Sequence, residues 1–456
     1  MAAPRRKAAD GLDKIPSSEG EWRAAVVKHG LQHRTLAQLC LNGRFSASTV
    51  PTDAFLTLRC IWLSRQRPGR ALPYIINTGS FFNAKNAAWA TTLTRNGCLG
   101  LDKLKMLYEF ICISKIPKTP RQYDCTIADA LGPFSMLVNL KRQLLDKSLH
   151  MPVVAAHTEV TGAPKSERFH DPTRLQSRDS PKSPTPKRLH PFDVEDVDME
   201  DVGSQNLPPS AVPSPPASSG LDPTDEEPAR RTPTETLVAD FMVTLLAGMA
   251  CFVQVLSPSP LCVANSYEST FQFGPVCGTG QQPGSDPVQF RARIDGSIPF
   301  SVSPSDKTPR EAIIFEAKRA PRTDGDVSVL AQQSLEHISY IWERHKNERM
   351  PRPRRDSPHH TFMVAQDHLS FYISIGTYDN EYLDYIFSPT DVPIIPRSNA
   401  PFLRIQEFGP YPVDEDNRLA LLLEIILSFL TWQLENTQAG SLIENAIAES
   451  KSQQAT

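Results

Sequence analysis

Phe290–Phe300, FRARIDGSIPF, and Arg310–Pro321, REAIIFEAKRAP, decide how the C-terminal half of this chain is read. In each, a run with strand character ends at an acid: Asp295 closes the first, and Glu316 follows the apolar run Ile313-Ile314-Phe315 in the second. Side chains of a strand alternate between faces, so Glu316 and Lys318 share one face and Ala317 takes the other. The 20 residues between Asp295 and Glu316 leave room for a hairpin with a loop. Pairing of the Arg291–Asp295 strand with the Glu316 strand brings the two carboxylates side by side. An exposed hairpin carrying an ordinary charge pair is one reading. The other is a metal-dependent phosphodiesterase centre. There, Asp295 and Glu316 offer hard oxygen ligands to Mg²⁺ or Mn²⁺, which polarises a phosphodiester oxygen and activates water. Lys318 beside them orients that water or meets the charge that develops on phosphorus.

Outward from this pair the sequence alternates between helical and strand periods. TPTETLVADFMVTLLAGMACFVQVL opens with Thr232 or Thr234 as a cap, Pro233 early and Glu235 in the first turn, and repeats Leu237, Phe241, Leu245 and Met249 at helical spacing. Its apolar part is shorter than the ~20 residues a membrane span needs, so it is expected as a buried core helix. After the two strands come a helix in SVLAQQSLEHISYIWERHK, strands in HTFMVAQDHLSFYISIGTY, and a long amphipathic helix in EDNRLALLLEIILSFLTWQLENTQ. Helix, strands, helix, strands, helix is the order of an α/β fold with a mixed central sheet flanked by helices.

This order, with RID…FEAK inside it, resembles the PD-(D/E)XK nuclease superfamily, and more narrowly the nuclease-like domains of that type found in many fungal proteins. The resemblance covers Thr234 to Leu434 and implies a restriction-endonuclease-like fold. It further implies a Mg²⁺ (or Mn²⁺) ion held by Asp295 and Glu316, help from the carbonyl of Ala317, and a catalytic role for Lys318. Glu235 resembles the extra acid that some members carry on the leading helix. Ile294 stands where the motif has proline. Some branches carry Q-x-x-x-Y on the following helix; here Glu336 and Tyr340 stand at that spacing, with Glu in place of Gln. The residue-level alternative for Glu336, His337 and Tyr340 is a helix that packs Ile338, Ile341 and Trp342 inward and shows the rest to solvent. The function implied is hydrolysis of DNA or RNA. The alternative is a catalytically inactive nuclease-like scaffold, or a nucleic-acid-binding regulator.

Charge divides the chain. Residues 1–150 hold 22 Lys and Arg against 10 Asp and Glu, a balance of +12, whereas residues 151–232 stand at −5 and residues 233–456 at −10. A nucleic-acid partner is therefore expected to meet the basic N-terminal region first, with Arg59, Arg65, Arg67, Arg70 and Lys85 as phosphate contacts. Arg319 and Arg322, just after the FEAK run, either meet phosphate or lie in a solvated loop. Three-to-four spacing in SEGEWRAAVVKHG, TDAFLTLRCIWLSRQ and NAKNAAWATTLTRNG predicts a small, mainly helical region over 1–150. Residues 151–232 concentrate Pro, Ser and acids with few large apolar side chains, and are expected as a disordered linker bearing Ser180-Pro181, Ser183-Pro184 and Thr185-Pro186 beside Lys187-Arg188. A nuclease-like domain over 233–440 and a disordered tail over 441–456 complete the expected layout. Eight scattered cysteines without a C-x-x-C pair favour reduced thiols in a nuclear or cytoplasmic setting. No secretory leader and no membrane association are expected. HGLQH lacks the glutamate of H-E-x-x-H, and CGTGQQPG lacks the Lys-Ser/Thr of a phosphate loop.

Overall fold

The computed structural model describes residues 9, 11–36, 45–95, 131–145, 235–254, 263–265, 269–274, 276, 290–300, 313–318, 321–322, 326–348, 357–387 and 400–434, with isolated positions between 441 and 452. The expected linker, its phosphorylation motifs, the CGTGQQPG stretch and Arg319 lie outside them.

Among the described residues, ten strands form two sheets. In chain order they are β1 (Phe45–Ser46), β2 (Cys60–Gln66), β3 (Val263–Asn265), β4 (Ser269–Phe273), β5 (Phe290–Ile294), β6 (Gly296–Phe300), β7 (Ile313–Lys318), β8 (His359–Asp367), β9 (Ser370–Tyr378) and β10 (Leu403–Pro412). The larger sheet has the order β2-β10-β9-β8-β7-β6-β3, and the smaller one β1-β5-β4. The larger sheet is mixed: β2 with β10 and β7 with β8 run parallel, and its remaining pairs are antiparallel.

The helices are α1 (Glu19–Lys28), α2 (Thr52–Thr57), α3 (Ala71–Thr78), α4 (Ala84–Arg95), α5 (Ser135–Leu145), α6 (Glu235–Gln254), α7 (Val327–His345), α8 (Asn380–Phe387) and α9 (Asp416–Leu434). Two cores separate them by sheet face. Phe241, Leu245 and Met249 of α6 and Leu422, Ile426 and Phe429 of α9 pack with Ile313, Phe315 and Ala317 of β7 and Phe362 and Val364 of β8. On the opposite face α7 places Leu335, Ile338 and Trp342 with Trp22, Phe55, Trp62 and Tyr382. The period-two alternation of β7 is thus used on both sides. Ile313, Phe315 and Ala317 face α6 and α9, and Ile314 meets Tyr340 of α7.

The N-terminal residues differ from expectation. LRCIWLSRQ holds not a helix but β2, the edge strand that runs parallel to β10 near the C-terminus, with Cys60 opposite Leu403. Cys60, Ile61 and Trp62 are buried while Ser64 and Gln66 are exposed, so three consecutive apolar residues serve two faces of a sheet rather than one helix stripe. Long-range bonds tie the region down: Trp62 Nε1 donates to Ser334 Oγ at 2.8 Å, and the Tyr382 and Tyr385 hydroxyls donate to the carbonyls of Leu58 and Thr57 at 2.9 and 2.6 Å. Residues 1–151 and 230–456 accordingly cluster as one unit rather than as a helical domain beside a nuclease-like one. β10 and α8 had no counterpart in the sequence reading. In the expected tail, Glu444 pairs with Lys85 at 2.5 Å.

Candidate active site

Asp295 sits where the chain leaves one sheet and enters the other. β5 pairs with β1 and β4, and the next strand, β6, pairs antiparallel with β7, Gly296 opposite Phe315. The strand that meets β7 is therefore Gly296–Phe300, not Arg291–Asp295 as expected. Asp295 is nonetheless brought to β7: its N–H donates to the Phe315 carbonyl at 3.1 Å, and its Oδ2 accepts from the Ala317 N–H at 2.6 Å. A carboxylate bonded by both ends of one residue to the neighbouring strand has little freedom to turn away.

Glu316 and Lys318 lie on the β7 face opposite Ala317. The Lys318 ammonium donates to Glu316 Oε1 and reaches Glu235 Oε1, at the start of α6, at 3.5 Å. Glu316 is buried, whereas the Glu235 side chain is 55 % exposed. Asp295, Glu316, Lys318 and Glu235 line one cavity of about 680 Å³, together with Arg293, Gln332, Asp240 and Ser48. α6 lines the cavity with Glu235 and Asp240, and α7, which brings Gln332 to it, is fixed at its start by Asp326, whose carboxylate accepts from the N–H groups of Ser328 and Val329.

The α7 residues at this place were misjudged from sequence. Glu336, His337 and Tyr340 are buried, not solvent-facing. Gln332, which the sequence reading passed over, donates from Nε2 to Glu316 Oε1 at 2.7 Å and to Glu336 Oε1 at 2.8 Å. One amide group thus links two buried carboxyl groups, and the i, i+4 spacing of Gln332 and Glu336 on a helix aimed at β7 is the signal that finds them. His337 is held apart from the cavity between Thr361 Oγ1 (2.7 Å) and Ser374 Oγ (2.9 Å).

Burial sets the electrostatics. It pushes the Asp295 carboxyl up, against the Ala317 N–H and Lys318, which favour its charged form. Burial raises Glu316 well above the ordinary carboxyl range, with the neighbouring Glu336 and Asp295 adding like-charge repulsion. Glu336 is raised to about 7, again by burial first. Burial alone would pull the Lys318 ammonium down, but Glu316 and Glu336 outweigh it and hold it above its ordinary value. Carboxyl groups thus outnumber cations around Lys318.

Among the described residues no group of three or more His, Cys, Asp and Glu side chains is gathered so as to hold a metal ion by itself. The donor chemistry still fits Mg²⁺. That ion keeps several waters and is commonly bound through one or two carboxylates, and Glu316 Oε2 is a buried oxygen with no hydrogen-bond partner in the protein. Ala317 contributes its N–H to Asp295 and buries its methyl in the opposite core.

Arg322 meets neither phosphate nor solvent. It is buried, donates from Nε to Asp367, from Nη1 to Glu407 and from Nη2 to Gln333, and lies over the Tyr372 ring with 4.4 Å to the centroid. Arg65 closes this network by donating to Glu407 Oε2. Arg59 is also buried, its guanidinium 3.6 Å from the Tyr385 ring centroid. Arg59 is therefore committed to the interior and the half-buried Arg65 to Glu407, rather than to the phosphate contacts expected; Arg67 and Arg70 are exposed.

No family model, curated protein or solved structure matches the chain. Among the described residues no helix is long and apolar enough to cross a membrane.

Proposed function

We propose that the chain is a metal-dependent nuclease whose reaction, hydrolysis of a phosphodiester bond, takes place in the cavity between β7, α6 and α7. The observation that carries this reading is the convergence of Asp295, Glu316 and Lys318 on one cavity, with one buried Glu316 oxygen lacking a protein partner. Such a carboxyl-rich, under-neutralised site is costly to the fold unless a cation or a proton compensates it.

Asp295 and Glu316 would hold Mg²⁺ or Mn²⁺, and Glu235 at the cavity mouth would reach it through water. When bound, the ion supplies Lewis-acid activation of the phosphodiester and of water. The chain's own residues do the rest. The Ala317 N–H fixes Asp295, Gln332 fixes Glu316, and Lys318 stands as a permanent cation that positions an attacking water and favours negative charge on the non-bridging oxygens. This reading resembles the PD-(D/E)XK nuclease scheme and takes DNA or RNA as the substrate class.

The test is cleavage of labelled single- and double-stranded DNA and RNA by the purified full chain in Mg²⁺ or Mn²⁺. Activity in wild type that is lost in Glu316→Gln and Lys318→Ala, both still folded, supports the reading. Equal cleavage by all three proteins assigns the activity to a contaminant, and no cleavage of any substrate favours an inactive scaffold.

A further inference from the structure

β5 is not only the strand that delivers Asp295. In FRARI, Phe290, Ala292 and Ile294 are buried and Arg291 and Arg293 are exposed, so the strand shows one apolar and one cationic face. The apolar face is anchored by Phe290, stacked on Phe45 and Phe273 with centroids 5.3 and 4.7 Å apart, and Phe273 packs on Trp342 of α7. The outer face is polar throughout. Gln272 and Ser46 lie opposite Arg291, Thr270 lies opposite Arg293, and all three are exposed. None of the three strands contains an acid, although residues 233–456 carry a balance of −10. A local cationic strip thus stands in an acidic half of the chain.

The strip also has a direction. Arg291, Arg293 and Asp295 follow one another at i, i+2 and i+4, so successive members are separated by about 6.6 Å along the strand direction. Arg293 lines the same cavity as Asp295 and Lys318, and Ser48 lies there as well, just beyond β1. Cations at the near end of the strip thus open into the carboxyl-rich cavity, and Arg291 lies one step further out. Two charges in a single line, on a sheet only about 10 Å across, suit one phosphate backbone rather than the two of a duplex.

We infer that the outer face of the β1-β5-β4 sheet is a track for single-stranded nucleic acid, Arg293 and Arg291 holding the two phosphates that precede the one placed at Asp295 and Glu316. The inference deepens the hydrolytic reading and rests on it for the place of the third phosphate. It assigns the backbone contacts to the acidic half of the chain, at a site that the balance of charge alone would pass over. Each contact releases condensed counterions, so binding weakens with salt by an amount that counts the contacts.

The experiment is fluorescence anisotropy of a labelled 12-nucleotide single-stranded DNA with the full chain in chelator, across a salt series, so that no cleavage is needed for a signal. Arg291→Ala/Arg293→Ala should weaken binding about tenfold and lower the slope of log K against log salt by about 1.4, or 0.7 per contact. Arg291→Lys/Arg293→Lys should keep the wild-type slope, and Arg418→Ala, elsewhere on the surface, should bind as wild type. Unchanged affinity and slope in the alanine variant, a lysine variant that fails as the alanine variant does, or tighter binding of the duplex would each overturn the inference. Failure of the hydrolytic reading is distinguishable. Loss of binding in the alanine variant, with Glu316→Gln binding as wild type and no protein cleaving, keeps the track and removes the catalysis. Cleavage abolished by Glu316→Gln but untouched in affinity and rate by the arginine pair removes the track and keeps the catalysis.

Discussion

Two buried ionic clusters sit side by side on the larger sheet, and they are built on opposite principles. Lys318 of β7 is paired in register with Asp367 of β8, so the clusters touch along the ladder. On one side, Arg65 and Arg322 meet Asp367 and Glu407, two cations against two anions, with Arg322 fully enclosed. On the other, Lys318 is surrounded by Glu316, Glu336, Asp295 and Glu235, and the group opens to a cavity. A balanced, closed cluster joins elements distant in sequence, here β2, β8, β10 and the residues after β7. On the proposed reading, an unbalanced, open one keeps charge available for a metal ion.

Removing one charge from each side breaks the comparison most sharply. Arg322→Ala leaves Asp367 and Glu407 buried with no partner for their charge beyond Arg65, and should cost about 3–5 kcal/mol in chemical denaturation. Lys318→Ala should cost clearly less, about 1–2 kcal/mol, because the surrounding carboxyl groups are already pushed up by burial and take up protons instead. Equal losses for the two variants would mean that both clusters are structural.

The next effect tests the packing behind the clusters. A Cβ added at Gly376 of β9 would lie 2.3 Å from Thr361 Oγ1 and 3.4 Å from His337 Nδ1, disturbing the hydroxyl pair that holds His337. Gly376→Ala should destabilise by about 1–3 kcal/mol through overpacking, as read from the denaturation midpoint. A variant as stable as wild type would show that β8 and β9 can part at no cost.

Metal response comes third. Because Asp295 ionises against burial, Asp295→Asn should lie within about 1 kcal/mol of wild type in chelator. The Asn side-chain oxygen can still accept from Ala317. Mg²⁺ or Mn²⁺ should raise the melting temperature of wild type and leave the variant unmoved. A rise of equal size in both would place the ion elsewhere.

The last effects are those of pH, and they run in opposite directions. Burial lowers His337 to about 3 and His360 to about 4, so both bind protons more weakly folded than unfolded. Their contribution is complete above the ordinary histidine value of about 6.5 and is lost as pH falls from there toward the folded values. Glu336, raised from 4.5 to about 7, works the other way: its contribution is complete below pH 4.5 and is lost as pH rises to about 7. Glu336→Gln should therefore flatten the stability profile between pH 4.5 and 7, and His337→Asn should flatten its acid limb. Denaturation midpoints across pH 3–8 for the three proteins measure both, and unchanged profiles would place these side chains in contact with water.

How much of this was legible beforehand depended on whether a contact was local. The strand of FEAK, its alternation and the helices of α6, α7 and α9 follow from side-chain period alone. So does the place of Glu316 and Lys318 on one face. Asp295 was given the wrong partner strand, since a β-ladder is chosen by long-range packing and not by the sequence of either strand. The fate of CIWLSRQ was hidden for the same reason: β2 exists because β10, more than 330 residues away, offers it an edge.

Arginine and glutamate show the limit most plainly. Sequence determined that the chain carries Arg322, Arg65, Glu336 and Gln332, and that the first two are basic and the third acidic. Only the tertiary structure decided that Arg322 and Arg65 are spent on Asp367 and Glu407, while Gln332 lines the cavity and bonds the buried Glu336 behind it. A charged side chain has no period of its own. Whether it faces water, an ion or another charge is fixed by which apolar faces close over it, and those faces come from parts of the chain that a local pattern does not see.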